Sequence, residues 1–259
     1  MIYKLLDRFK ELPEVDSIII AGSRASGNND SLSDYDIYVY GKEPVPEEKR
    51  AGLYNEYCSK TEVGNKYFEY EDNCILKDGT YVDIIFRDLE MLCKFIDMTV
   101  NGHKARNGYT TCFWHNLLNS EIYFDRSGEF RKARERFSIP YPEELRKNII
   151  KRNMNLLHDA LPAYDKQLSK AVARNDLISI NHRTTAFLES YFDVIFALNR
   201  MTHPGEKRLI SICKKKCSIL PDNFEENLNC LLTDMFAHPE KISEDIENII
   251  RELKKVSDI

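Results

Sequence analysis

Asp34, Asp36 and Asp83 stand among apolar residues where a carboxylate needs a reason to be. Asp34-Tyr35-Asp36 opens the run Ile37-Tyr38-Val39-Tyr40, and Asp83 lies inside Thr80-Tyr81-Val82-Asp83-Ile84-Ile85-Phe86. In a strand, side chains two apart point to the same face, so Asp34 and Asp36 are expected to project together. Two adjacent carboxylates repel unless a cation lies between them, and hard oxygen ligands of this kind suit Mg²⁺. An unpaired carboxylate in a run like that around Asp83 is costly to bury, which makes it a metal ligand or a proton acceptor. Upstream, Ile18-Ile19-Ile20-Ala21 leads into Gly22-Ser23-Arg24. Gly22 allows a sharp turn or a close backbone approach. Ser23 adds a hydroxyl donor, and a helix starting there directs free N–H groups at an anion. Arg24 either grips a phosphate or braces the turn against a carboxylate. Each half alone is compatible with a plain hairpin; the ordered combination points to a phosphate turn followed by metal carboxylates.

Positioning these residues requires strands at 17–21 and 35–40 and a hairpin of 66–77 with 80–86, turning at Asp78-Gly79. Residues 2–12 are amphipathic and predict a helix, as do 46–58, 88–100 and 110–118. Glu121-Ile122-Tyr123-Phe124 predicts a further strand, followed by a charged helix. From Pro142 onward apolar residues recur at three- and four-residue spacing, as in Phe187, Leu188, Tyr191, Ile195 and Leu198. Prolines at 140, 142, 162, 204, 221 and 239 mark the helix ends. The expected fold class is α+β, with a mixed-sheet domain over 1–139 and a helical bundle over 140–259.

Gly22-Ser23, ten residues, then Asp34-x-Asp36 flanked by apolar residues is a pattern that resembles the DNA polymerase β nucleotidyltransferase superfamily. The form Gly22-Ser23-Arg24-Ala25-Ser26-Gly27 with Ser33-Asp34-Tyr35-Asp36 is similar to its small bacterial members, including the antibiotic (aminoglycoside and lincosamide) nucleotidyltransferases. The resemblance implies transfer of a nucleoside monophosphate from a nucleoside triphosphate, commonly ATP, to a hydroxyl of a small-molecule acceptor lying between the two domains. It implies that Gly22 and Ser23 hold the triphosphate. It implies further that Asp34, Asp36 and Asp83 carry two Mg²⁺ ions. Trp114-His115-Asn116-Leu117-Leu118, with Phe196-Ala197-Leu198-Asn199-Arg200 and His203-Pro204-Gly205-Glu206-Lys207-Arg208, resembles a broad group of nucleotidyltransferase-like proteins with a domain of unknown function.

The 259 residues carry a formal charge of −5, which argues against an extended nucleic-acid track and is compatible with a cationic small molecule. Seven scattered cysteines without a Cys-x-x-Cys pair read as reduced thiols in a cytoplasmic setting. No stretch of about twenty apolar residues is present to span a bilayer, and the amphipathic N-terminus does not read as a leader. Lys207, after Pro204-Gly205, is expected at a helix start facing the outgoing pyrophosphate, or else as one more exposed member of the cluster with Arg208, Lys214, Lys215 and Lys216. Glu189 is expected in a salt bridge, with an alternative role as base. Tyr35, Tyr191 and Phe192 either stack on a base or form ordinary core. Protein-directed AMP transfer of the antitoxin type, and a catalytically silent nucleotide-binding module, are the other readings the sequence allows. It leaves the oligomeric state open.

Overall fold

In the computed structural model, which describes residues 1–25 and 34–257 and only the backbone of Ser23 and Ala25, the apolar runs flanking the two motifs become neighbouring strands. Ser26, Gly27 and Ser33 lie outside the described residues. Two units are distinguishable: Met1–Ile96 with Phe113–Ile139, and Asp97–Cys112 with Pro140–Ile259. Residues 97–112, counted with the first domain on sequence, fold with the helical unit.

Among the described residues the first unit builds a six-stranded sheet from β1 (Ser17–Ala21), β2 (Tyr35–Tyr40), β3 (Cys58–Asn65), β4 (Glu71–Leu76), β5 (Tyr81–Arg87) and β6 (Glu121–Asp125). The spatial order is β3-β4-β5-β2-β1-β6. Only the β2–β5 pair is parallel; the others are antiparallel. One face is apolar. Ile18, Ile20, Ile37, Val39, Cys74, Leu76, Val82 and Ile84 cluster there with Leu5, Leu6 and Phe9 of helix α1 (Ile2–Lys10) and with Tyr54. A four-residue helix, α2 (Gly22–Ala25), follows β1 directly.

The crossover from β2 to β5 carries helix α3 (Glu47–Tyr57), which is joined to the apolar face by a buried ion pair. Arg50 and Asp72 are both fully buried, 2.5 Å apart. Asp72 also accepts from the Tyr54 hydroxyl at 2.5 Å and from the Gly64 N–H at 2.7 Å. Charges are tolerated at this depth only when paired and hydrogen-bonded, and here both carboxylate oxygens are satisfied. Helix α3 ends at Tyr57, one residue before its expected end, and β3, which the sequence pattern does not predict, follows at once. The chain switches from helix to strand at Cys58 without a turn, and Ser59, Lys60, Thr61 and Glu62 are all exposed. An edge strand wet on both sides has no apolar alternation to reveal it.

The second unit is helical, as the spacing predicts: α7 (Glu143–Met154), a π turn (Asn155–Asp159), α8 (Tyr164–Ala173), α9 (Leu177–Leu198), α10 (Leu209–Lys216), α11 (Phe224–Ala237) and α12 (Ile242–Val256). (Helices α4, Leu89–Val100, α5, Cys112–Asn119, and α6, Glu129–Phe137, precede them.) α9 is its centre. Asp176 caps its N-terminus, accepting from the Ser179 N–H at 3.0 Å, and every residue from Ser190 to Leu198 is buried. A helix apolar on all sides belongs in a core. Tyr191 and Phe192 are accordingly core residues, 1% and 5% exposed.

Within that core Asp193 accepts from the Thr110 N–H at 3.1 Å, the Thr110 hydroxyl at 2.6 Å and Asn153 Nδ2 at 3.2 Å. These bonds fasten the loop before α5 to α7 and α9. Burial still dominates and pushes the carboxyl up from 3.8 to about 6. A raised acid stabilises the fold while protonated, so its contribution is complete below the unfolded value and is lost as pH rises through about 6. Relative to Asp193→Asn, the wild type is expected to lose about 2 kcal/mol of stability between pH 4 and pH 7. Urea unfolding of both proteins across that range measures it; parallel pH curves would contradict the assignment.

Candidate active site

Register decides which side chains meet. The parallel pairing sets Asp36 opposite Asp83, Tyr38 opposite Ile85 and Tyr40 opposite Arg87. Antiparallel pairing sets Ala21 opposite Asp36, Asn73 opposite Asp83 and Glu71 opposite Ile85. Paired residues share a face, so one row across the sheet reads Ala21, Asp36, Asp83, Asn73 and the next reads Ile19, Tyr38, Ile85, Glu71. This is the face opposite the α1 core. Further down it, Arg87 lies 4.0 Å over the Tyr38 ring and pairs with Glu69, while Phe130 of α6 packs on Tyr40 with ring centroids 5.3 Å apart. The row with Asp36 and Asp83 remains half-buried at the start of both parallel strands.

Each carboxylate has its own support. Asn73 Nδ2 donates to Asp83 Oδ1 at 2.7 Å, and the amide of Asn73 is oriented in turn by a bond from Asn65 Nδ2. Asp36 lies against Gly22, which has φ +66; a Cβ there would come within 1.8 Å of Asp36 Oδ2. Glycine is therefore required twice, for the left-handed backbone and for the missing atom. Gly22 thus makes the sharp turn that was one of its two expected roles, with the carboxylate of Asp36 against it. Arg24 stacks 4.0 Å from the Tyr35 ring centroid, and its Nε donates to the backbone carbonyl of Asp34 at 3.1 Å. It braces the turn through the carbonyl of Asp34.

Asp34 precedes the ladder, because β2 begins at Tyr35; the same-face rule that joins it to Asp36 on sequence applies only inside a strand. The Ser23 side chain lies outside what the structure describes. Lys207 belongs to the second unit, exposed in the turn before α10, which starts at Leu209. Glu71 is the residue sequence reasoning missed. It is 7% exposed, and burial, with the charge of Asp83 next in size, raises its carboxyl above the usual range. Its spacing of two from Asn73 on β4 was the available signal, but only pairing to β5 gives that spacing meaning.

Among the described residues no three His, Cys, Asp or Glu side chains form a group able to hold a metal by themselves. The in-register pair Asp36–Asp83 nevertheless fits a hard divalent cation. Mg²⁺ is commonly bound through one or two carboxylates, with phosphate oxygens and water completing the octahedron.

Residues 2–103 match the family described as nucleotidyltransferase domain, a span that holds β1 to β5 and all three carboxylates. The chain carries a nucleotidyltransferase domain. Residues 112–209 match a domain of unknown function, DUF4037, which begins at α5 and extends through α9 to the start of α10. The nucleotidyltransferase domain thus lends the sheet five strands, and the sixth, β6, comes from the span of the second match. No curated protein matches the sequence significantly. Among solved structures, a nucleotidyltransferase-like protein from Exiguobacterium sibiricum 255-15 is 12% identical, with 99% of this chain and 73% of that chain covered and a TM-score of 0.43. An aminoglycoside 6-adenyltransferase from Bacillus subtilis is 11% identical, with 99% and 95% covered and a TM-score of 0.27. The Thermotoga maritima CCA-adding enzyme is 12% identical, with 98% and 82% covered and a TM-score of 0.29. No helix among the described residues is long and apolar enough to cross a membrane.

Gly22→Ala is expected to destabilise the nucleotidyltransferase domain by at least about 1–2 kcal/mol, the cost of left-handed backbone for an L-residue, with displacement of Asp36 added to it. Chemical denaturation checks the first part. Unchanged stability would mean that residue 22 does not hold left-handed backbone.

Proposed function

We propose that this protein transfers a nucleoside monophosphate, AMP from ATP, to a hydroxyl of a small-molecule acceptor, with Mg²⁺ as the metal. The observation that carries the reading is the pair Asp36–Asp83, side by side on parallel strands with Gly22 against the first of them. The match of residues 2–103 to a nucleotidyltransferase domain supports it.

In this reading the backbone at Gly22 and Ser23 receives the triphosphate. Asp36 and Asp83 would hold the metal, with Asp34 and Arg24 beside them. When bound, Mg²⁺ supplies charge neutralisation at the attacking and leaving oxygens. The acceptor oxygen bonds to the α-phosphorus as the bridging bond to the β-phosphate breaks, and pyrophosphate leaves with the bond pair. The proton of the attacking hydroxyl passes to Asp83, whose two oxygens offer more lone pairs than the bond from Asn73 uses. Asn73 fixes that carboxylate without touching the reactants. The acidic chain favours a cationic acceptor over a polyanionic one.

Incubation with α-labelled triphosphates and Mg²⁺, followed by separation of small molecules from protein, tests the proposal. Label on a small molecule with stoichiometric pyrophosphate is expected. Label confined to protein would replace the acceptor by a polypeptide, and label nowhere, with triphosphates and acceptor libraries varied, would remove the assignment.

Two variants assign the roles. Asp36→Asn keeps shape and removes charge, so turnover is expected to fall at least about a hundredfold together with Mg²⁺ affinity. Asp83→Asn is expected to lower kcat far more than it raises KM, because its loss is felt mainly in the transition state. Full turnover in Asp83→Asn would exclude it as ligand and as base alike.

A further inference from the structure

The second unit contains a cavity of about 290 Å³, at the small end of the range for ligand pockets. Leu188 and Phe192 of α9 and Leu228 and Leu232 of α11 give it apolar walls. Two carboxylates, Glu189 and Glu206, also line it, and no lysine or arginine is among the described residues that do. Sequence reasoning gave Glu189 a salt bridge. Instead it is half-buried, with no hydrogen bond or ion pair to any described residue; His182, seven positions earlier, is the one group whose positive charge is felt there.

The loop facing these carboxylates is held in place. Gly108, at φ +83, presses so closely on α9 that a Cβ would lie 2.8 Å from Glu189 Cβ. Tyr109 follows in left-handed backbone at φ 50, which a large side chain seldom adopts, and its ring meets His203 edge-on at 4.8 Å. The bonds that Thr110 donates to Asp193 close the segment. Tyr109 thereby forms an aromatic wall beside both carboxylates, and its phenol is pushed up to about 12 by burial first and then by Glu189 and Glu206.

We propose that this cavity binds an organic cation with an apolar body, its ammonium group held by Glu189 and Glu206 beside the Tyr109 ring and its body against Leu188, Phe192 and Leu228. A carboxylate in an apolar wall gains most from a partner of opposite charge that brings its own apolar surface. An aromatic face adds attraction for the same cation. Polyhydroxylated polycations fit poorly, since walls of leucine and phenylalanine leave their hydroxyls without partners.

Calorimetric titration of the full chain with 4-phenylbutylamine and with the uncharged 4-phenylbutan-1-ol, both without triphosphate, tests this. The amine is expected to bind at least about tenfold more tightly than the alcohol, the scale of one charge-assisted hydrogen bond. Glu189→Gln is expected to erase that preference while leaving alcohol binding unchanged. If that variant melts early, Glu206→Gln, at an exposed position, is expected to reduce the preference by at least about threefold with the fold intact. Asp36→Asn, in the other unit, is expected to bind the amine as the wild type does, which separates this site from the proposed transfer chemistry. No amine binding, equal binding of amine and alcohol, or a preference that survives both glutamine variants overturns the proposal.

Discussion

The parallel pairing of β2 with β5 is the constraint on which the first unit depends. It places Asp36 beside Asp83, and it does so only in the observed register. A slip of one residue would turn Asp36 into the apolar cluster and bring Ile37 to the carboxylate row. The apolar face therefore enforces the geometry of the polar one. Parallel strands cannot be joined by a tight turn, so the chain must travel through a crossover before it returns as β5. That crossover contains α3 and the β3–β4 pair, and the buried Arg50–Asp72 contact ties its helix to its sheet. A fully buried ion pair is costly to assemble and more costly to break, which suits a contact whose role is to fix one arrangement.

The same logic appears in the second unit with different groups. The second half of α9, from Ser190 to Leu198, is buried throughout and mostly apolar, and such a segment accepts neighbours at many angles. Asp193, Thr110 and Asn153 add direction to that packing, because three hydrogen bonds to one buried carboxylate can be satisfied in few ways. The loop bearing Tyr109 is placed by these polar bonds and by the close approach at Gly108, not by apolar contact alone.

What was legible in the sequence follows from which signals are local. The runs Ile18–Ala21, Ile37–Tyr40 and Val82–Phe86 are β-branched and aromatic, and all three lie in strands. The helical half announced itself through three- and four-residue spacing. Gly22, Asp36 and Asp83 could be singled out because their types are improbable in their surroundings. Glu71 and Asn73 could not be, since nothing near them in sequence shows which strand they will face; their importance arises from pairing across the sheet. Asp34 stands just outside the strand, where two-residue alternation no longer says which way a side chain points. Glu189 looked like one half of a salt bridge because it sat in an apolar helix, and the partner such a position calls for is not supplied by its described neighbours.

β3 carries a consequence of its own. It lies at the edge of the sheet, with one row of backbone donors and acceptors unpaired by any strand among the described residues. An exposed edge of this kind is a template on which a strand from another molecule can add. Lys60 and Glu62 stand on it, with Thr61 between them and Ser59 before them, all exposed. An incoming apolar strand would have to strip water from both charges, and the register shifts between Cys58 and Lys60 and between Glu62 and Asn65 break the straight line it would need. The polarity that hides this strand from pattern recognition thus protects the folded sheet against growing at that edge into an aggregate.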